Sequence, residues 1–190
     1  MRFHNSKKIL PFFLGLIMVL SMVVPSGRAR AAGNCADSQV FCNGCLVQVI
    51  GGQNCIRSCD QNCTSVQIGN NVKSIGTNAF SNCTNLKNVT LPGCVNSVGS
   101  CAFNGCSNLS TVTLGANTKK IGDNAFKNCK NLKTINIKSK KLNSNCVSCN
   151  AFKGVGKNVT VNVPKDKVKS YKTLFCKKGL CKQAKVCGKF

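Results

Sequence analysis

Sixteen cysteines, one histidine and four aspartates are the residues of this 190-residue chain most able to do chemistry, and it has no tryptophan. The only imidazole, His4, stands in a segment read below as a leader. Without it no side chain ordinarily titrates near neutrality, which excludes Ser-His-Asp and Cys-His catalysis, HExxH chemistry and His-ligated zinc. Asp37, Asp60, Asp123 and Asp166 are too scattered to suggest the carboxylate pair of a glycosidase. The expectation is a chain with no catalytic residues, no metal and no cofactor.

The compartment decides what the thiols do. Arg2, Lys7 and Lys8 precede or open onto an apolar run over residues 9–24, and Ala29-Arg30-Ala31 offers the small-x-small pattern that a signal peptidase reads. A spanning helix needs about 20 apolar residues, and Pro11 and Gly15 weaken this shorter run further. Residues 1–32 are therefore expected to be a cleaved signal peptide, with a retained amino-terminal anchor as the alternative. The chain would then be secreted or held at the cell surface, with no integral membrane segment after cleavage. In an oxidising compartment so many cysteines normally form a disulfide framework. Cys42/Cys45 and Cys146/Cys149 have CxxC spacing, which zinc knuckles also use. A redox pair would need a βαβ context, and disulfides are the preferred reading.

A period of 23 residues organises the middle. Residues 75–91 read IGTNAFSNCTNLKNVTL, residues 98–114 VGSCAFNGCSNLSTVTL and residues 121–137 IGDNAFKNCKNLKTINI. A fourth copy, VSCNAFKGVGKNVTVNV at 147–163, is displaced by 26, so three residues are inserted around 141–146. The tail of an earlier unit, CTSVQI, occupies residues 63–68, giving an array of about four and a half turns. In each unit the end alternates as in residues 86–91, predicting a short strand with Val89 and Leu91 inside and Asn88 and Thr90 outside. The Ala-Phe pair, with glycine upstream in three of four units, predicts a tight bend and one helical or 3-10 turn. One unit cannot bury its apolar side alone, whereas stacked units share a continuous core.

These motifs resemble the BspA-like, or Treponema pallidum-type, bacterial surface leucine-rich repeat, whose units look like IGxxAFxxCxxLxxVxLP. The resemblance implies a leucine-rich-repeat right-handed coil, a repeat solenoid with a short parallel β-sheet along one face. It also implies secretion or surface display, and a role as an adhesin or other binding protein. The family places a buried cysteine where Cys83, Cys106 and Cys129 stand. Three aligned thiols are read as reduced core fillers, and Cys63, which falls where Leu86 falls one period later, as another. That leaves Cys35, Cys42, Cys45, Cys55, Cys59, Cys94, Cys101, Cys146, Cys149, Cys176, Cys181 and Cys187 as disulfide candidates at the ends and connections. The expected organisation is a leader (1–32), a Cys-rich amino-terminal cap (33–62), the repeat array (63–163) and a basic, Cys-containing helical cap (164–190). In that cap Val168, Tyr171, Leu174 and Phe175 form an apolar stripe stopped by Gly179. It predicts a lid on the last turn, with a cationic membrane-surface helix as the alternative.

Two surfaces could bind. The outward strand positions, Ser65, Gln67, Asn88, Thr90, Thr111, Thr113, Thr134, Asn136, Thr160 and Asn162, make a neutral hydrogen-bonding ladder without aromatics. The absence of Trp and Tyr from this ladder argues against a sugar-stacking platform. Charge is the other candidate. Residues 33–118 carry a net +1 and residues 119–190 a net +17, a field that attracts polyanions. Lys119, Lys120, Lys138, Lys140, Lys141, Lys165, Lys167, Lys169 and Lys172 mark this basic patch. The expected partner is a host or neighbouring-cell surface protein, a matrix component or an anionic glycan. Nucleic acid is not expected physiologically.

Overall fold

The computed structural model describes residues 62–180 and 184–190 in full and, before them, only the backbone of three strands. The leader and most of the expected amino-terminal cap lie outside the described residues. The early strands are β1 (Val40–Phe41), β2 (Leu46–Ile50) and β3 (Gln53–Ser58). There follow β4 (Val66–Ile68), β5 (Val72–Ile75), β6 (Asn88–Thr90), β7 (Ser97–Val98), β8 (Thr111–Leu114), β9 (Lys120–Ile121), β10 (Thr134–Ile137) and β11 (Thr160–Val163). A short 3-10 turn, Lys165–Lys167, then leads into helix α1 (Val168–Lys177) and a last strand, β12 (Lys185–Gly188).

Two sheets run along the coil, one ordered β1-β4-β6-β8-β10-β11-β12 and the other β2-β3-β5-β7-β9. In the first, β4 to β12 are all parallel, while β1 joins antiparallel. The sequence period becomes strand register. Val89 lies opposite Val112, and Val112 opposite Ile135. Ile135 then meets Val161, so the inserted residues are absorbed between the strands without shifting the alternation that keeps one face inside.

The Ala-Phe segments carry the core. Phe80, Phe103, Phe126 and Phe152 are fully buried and stack nearly parallel, with centroids 5.0, 5.2 and 5.4 Å apart. Backbone bonds run beside them. The Phe80 amide donates to the Ala102 carbonyl at 2.7 Å, Phe103 to Ala125 and Phe126 to Ala151 at 2.8 Å each. These segments are successive turns rather than helix, because Asn78, Cys101, Asn124 and Asn150 take positive φ before the Ala-Phe pair. A second left-handed residue, Asn82, Gly105, Asn128 or Gly154, follows each pair. Asn and Gly tolerate that conformation best, and cysteine does not share the preference.

The upstream glycines serve a different purpose from the expected bend. A Cβ on Gly99 would sit 2.6 Å from the Gly76 carbonyl carbon, and one on Gly122 would sit 2.6 Å from that of Gly99. Side chains at this column would push the turns apart, so it is close stacking that requires glycine there. Helix α1 closes the far end as a lid. Its buried residues are Tyr171, Leu174 and Phe175, and Phe175 meets Phe152 edge-on at 5.4 Å. With its apolar side spent on the last turn, the membrane-surface alternative loses the stripe it needs. Gly179, at φ +94, ends the helix as expected.

Cys83, Cys106 and Cys129 are buried between the turns and cross-link none of them. The Cys106 thiol donates to the Phe80 carbonyl at 2.9 Å and that of Cys129 to the Phe103 carbonyl at 3.2 Å, so each occupies its own site in the core. Burial, and secondarily the neighbouring Cys83, pushes the Cys106 thiol from its ordinary 9.0 up to about 12. Burial also raises the Cys129 thiol strongly.

Three expectations follow for stability. Phe103→Ala, which empties the middle of the stack, should cost about 3–5 kcal/mol in denaturant unfolding. Cys101→Asn should raise stability by about 0.5–1 kcal/mol, since it places the residue its column otherwise uses at a left-handed position. Above pH 9 the unfolded chain releases thiol protons that the folded Cys106 keeps until about 12. The stabilisation is therefore complete below pH 9 and falls as pH rises from there, and a Cys106→Ala/Cys129→Ala variant should show a shallower alkaline decline.

Candidate binding face

The outward positions of the first sheet form two columns. Asn88, Thr111, Thr134 and Thr160 stand opposite one another in successive strands, as do Gln67, Thr90, Thr113, Asn136 and Asn162. Asn88 and Thr90 are exposed and the later members half-buried. Strand spacing sets these groups about 4.8 Å apart along the coil. Side chains link the second column, since the Asn162 amide donates to Asn136 Oδ1 at 2.8 Å and the Asn136 amide to Thr113 Oγ1 at 3.2 Å. Ser65, just before β4, is exposed but has no partner in this strand register.

The ladder is one rung longer than the sequence suggested. Strand β12 pairs parallel with β11 and places Lys185 opposite Thr160 and Cys187 opposite Asn162. The missed signal is Val186, which follows Val161 by 25 residues and so nearly repeats the 26-residue step. It was obscured by the helix between them, because α1 takes the place of the turn segment and leaves no Ala-Phe motif to mark the unit.

The lysines gather on the rim beyond the strand ends, though not all of them. Lys138 lies 5.8 Å from the ring centre of Phe190, whose carbonyl accepts the Lys165 amide at 2.9 Å. Lys189 binds back to the Val163 carbonyl at 2.9 Å. Lys140 pairs with Asp166 at 3.0 Å, and that hydrogen bond holds the aspartate below the usual carboxylate range. Lys141 donates to Asn117 Oδ1 at 2.7 Å. Ser139 Oγ bonds to the Thr118 carbonyl at 2.6 Å, bringing Lys119 and Lys140 to neighbouring backbone positions. Lys120 begins β9 on the other sheet. Lys167 ends the 3-10 turn, and Lys169 and Lys172 lie on exposed positions of α1. The rim therefore unites Lys138, Lys140 and Lys165 with Lys189, which the sequence reading had omitted.

The cysteines require two corrections. Cys63 is buried in the core as expected, but it is disulfide-bonded rather than reduced. It is the first residue of the array's opening tail. Its partner lies outside the described side chains. Conversely, Cys94, Cys101, Cys146, Cys149, Cys176 and Cys187, expected in bridges, are free thiols. Each takes a different place in the repeat. Cys94 aligns with Asn117, Cys101 with Asn124, Cys146 with Lys120 and Cys149 with Asp123, while Cys176 lies on α1 and Cys187 opposite Asn162. Stacked columns thus set cysteine against other residue types. Cys35, Cys42, Cys45, Cys55, Cys59 and Cys181 lie outside the described side chains. Among the described residues no cluster of three His, Cys, Asp or Glu could hold a metal ion.

Comparison with known proteins fits this geometry. The family model for the BspA-type leucine-rich repeat region matches residues 50–181 in six copies, more units than the motif alone marked. The match begins inside the expected amino-terminal cap, where β3 already pairs parallel with β5, and ends inside the expected carboxyl-terminal one. A leucine-rich repeat protein of Bacteroides ovatus is similar with TM-score 0.51 and 25% identity, over 65% of this chain and 37% of that one. The chain thus spans little more than a third of that relative. A leucine-rich repeat protein of Bacteroides capillosus is similar with TM-score 0.51 and 27% identity, over 63% of this chain and 94% of that one. No curated protein matches the chain. Motif, register and repeat match agree, and the chain belongs to the BspA-type leucine-rich repeat family.

Proposed function

We propose that the chain is a secreted or surface-displayed, non-catalytic binding module that presents the Thr/Asn face of its parallel sheet to a protein or glycan. The observation that carries this reading is the linked column Asn162, Asn136 and Thr113. Hydrogen bonds between the rungs fix side chains in advance that would otherwise lose rotamer freedom on binding, and such pre-organisation converts directly into affinity. From Gln67 to Asn162 the face is neutral and regular, with Lys185 adding charge only at the last rung, so it suits an extended partner with repeated hydrogen-bonding groups. The leader-like sequence and the family's surface setting favour adhesion to a host or neighbouring cell as the biological context.

A second reading rests on the rim. Lys138, Lys165 and Lys189 crowd one border with only Asp166 among them, itself engaged by Lys140. That border suits an anionic polymer such as a sulfated or teichoic glycan.

The two readings respond oppositely to salt and mutation. Immobilised host matrix proteins and heparin, probed at about 0.15 M and 1 M salt, span screening lengths of about 8 and 3 Å. For the sheet face, binding should persist at the higher salt and drop at least tenfold in Thr111→Val/Thr113→Val. For the rim, binding should disappear at the higher salt and in Lys138→Gln/Lys165→Gln while surviving the threonine changes.

A further inference from the structure

The three residues inserted before the fourth unit are explained neither by the repeat nor by its outward face. They let the chain bulge over helix α1, and a cleft of about 270 Å³ opens between the bulge and the helix. Leu142, Tyr171 and Leu174 line it, and each is more than nine-tenths buried. Lys177 and Lys178 line it too, and no acidic residue does.

The cleft is preformed. The Tyr171 hydroxyl donates to the Ser139 carbonyl at 3.0 Å and accepts the Leu142 amide at 3.1 Å, which clamps helix to bulge on both sides. Ser139 Oγ continues to the Thr118 carbonyl and Thr118 Oγ1 to that of Val95 at 3.3 Å, anchoring the bulge into two earlier turns. On its outer side Asn143 Oδ1 accepts the amides of Asn145 and Cys146 at 2.9 and 3.2 Å. Apolar walls held open by satisfied hydrogen bonds gain by admitting an apolar group, and the paired lysines favour one that carries negative charge.

We infer that this cleft binds a small amphiphilic carboxylate, its aliphatic tail against Leu142, Tyr171 and Leu174 and its anionic head at Lys177 and Lys178. The volume lies just below the usual range for ligand sites, which starts near 300 Å³, so it takes one short chain and not a lipid with two. The site is independent of the sheet face and the lysine rim, and its occupation would stiffen the lid against the last turn.

Tyr171 is the chain's one tyrosine and there is no tryptophan, so intrinsic emission reports from the cleft itself. Octanoate added to the purified protein should change that emission saturably. Octanol, which lacks the charge, and Lys177→Gln should each weaken the response by roughly fivefold, the scale of an exposed ion pair. Thr173→Phe, on an exposed helix position lining the cleft, should abolish it while leaving the thermal melt unchanged. A linear or absent response to octanoate overturns the inference. So does octylammonium binding as tightly as octanoate, or undiminished binding to a folded Thr173→Phe variant.

Discussion

The amides of Phe80, Phe103 and Phe126 are each satisfied by the alanine carbonyl of the next turn, and this bond between units is the constraint on which the rest of the molecule depends. It ties every turn to its successor at one fixed distance. The aromatic rings are drawn into a face-to-face column, and any side chain at the Gly99 and Gly122 positions is forbidden. A turn that failed to stack would leave that amide buried and unpaired, at a cost of roughly 1–3 kcal/mol per group before any loss of apolar contact. Cooperativity along the coil therefore has a polar as well as a hydrophobic source.

Function inherits this spacing. Because the turns are locked, the strands on the opposite side of each unit share one register, and the outward Thr and Asn side chains meet their counterparts closely enough to bond. Charge is distributed differently. Apart from Lys120 and Lys185, the lysines of the basic half lie outside the strands, where connections are free to vary, so the basic rim borders the hydrogen-bonding face rather than covering it.

Much of this was legible because the repeat is written in residue types with narrow physical roles. The three in-phase copies disclosed the strand alternation, the buried Ala-Phe pair and the thiol fillers, and the Val168 to Phe175 stripe disclosed the lid. What stayed hidden was of three kinds. Strand β12 lacks the turn motif that would have announced its unit, since a helix supplies the same cover by other means. The cysteines misled because pairing depends on which columns they occupy, a three-dimensional property. Cys63 fills the core as its alignment with Leu86 suggested, yet it is bonded and not reduced, and Cys146 and Cys149 have a suggestive spacing yet remain free. The role of the upstream glycines was likewise invisible, because their neighbours lie one full turn away in sequence.

Phe175 turns its edge, not its face, toward Phe152, and the Phe152 amide bonds to the carbonyl of Lys178 rather than to another alanine. The aromatic column thus has a terminus that presents no flat ring to a further unit. Lengthening by duplication can proceed only upstream of the fourth turn, with helix and bulge carried along unchanged as a single closing piece. A lineage that gained or lost 23-residue blocks would vary the extent of its outer face while keeping the same end.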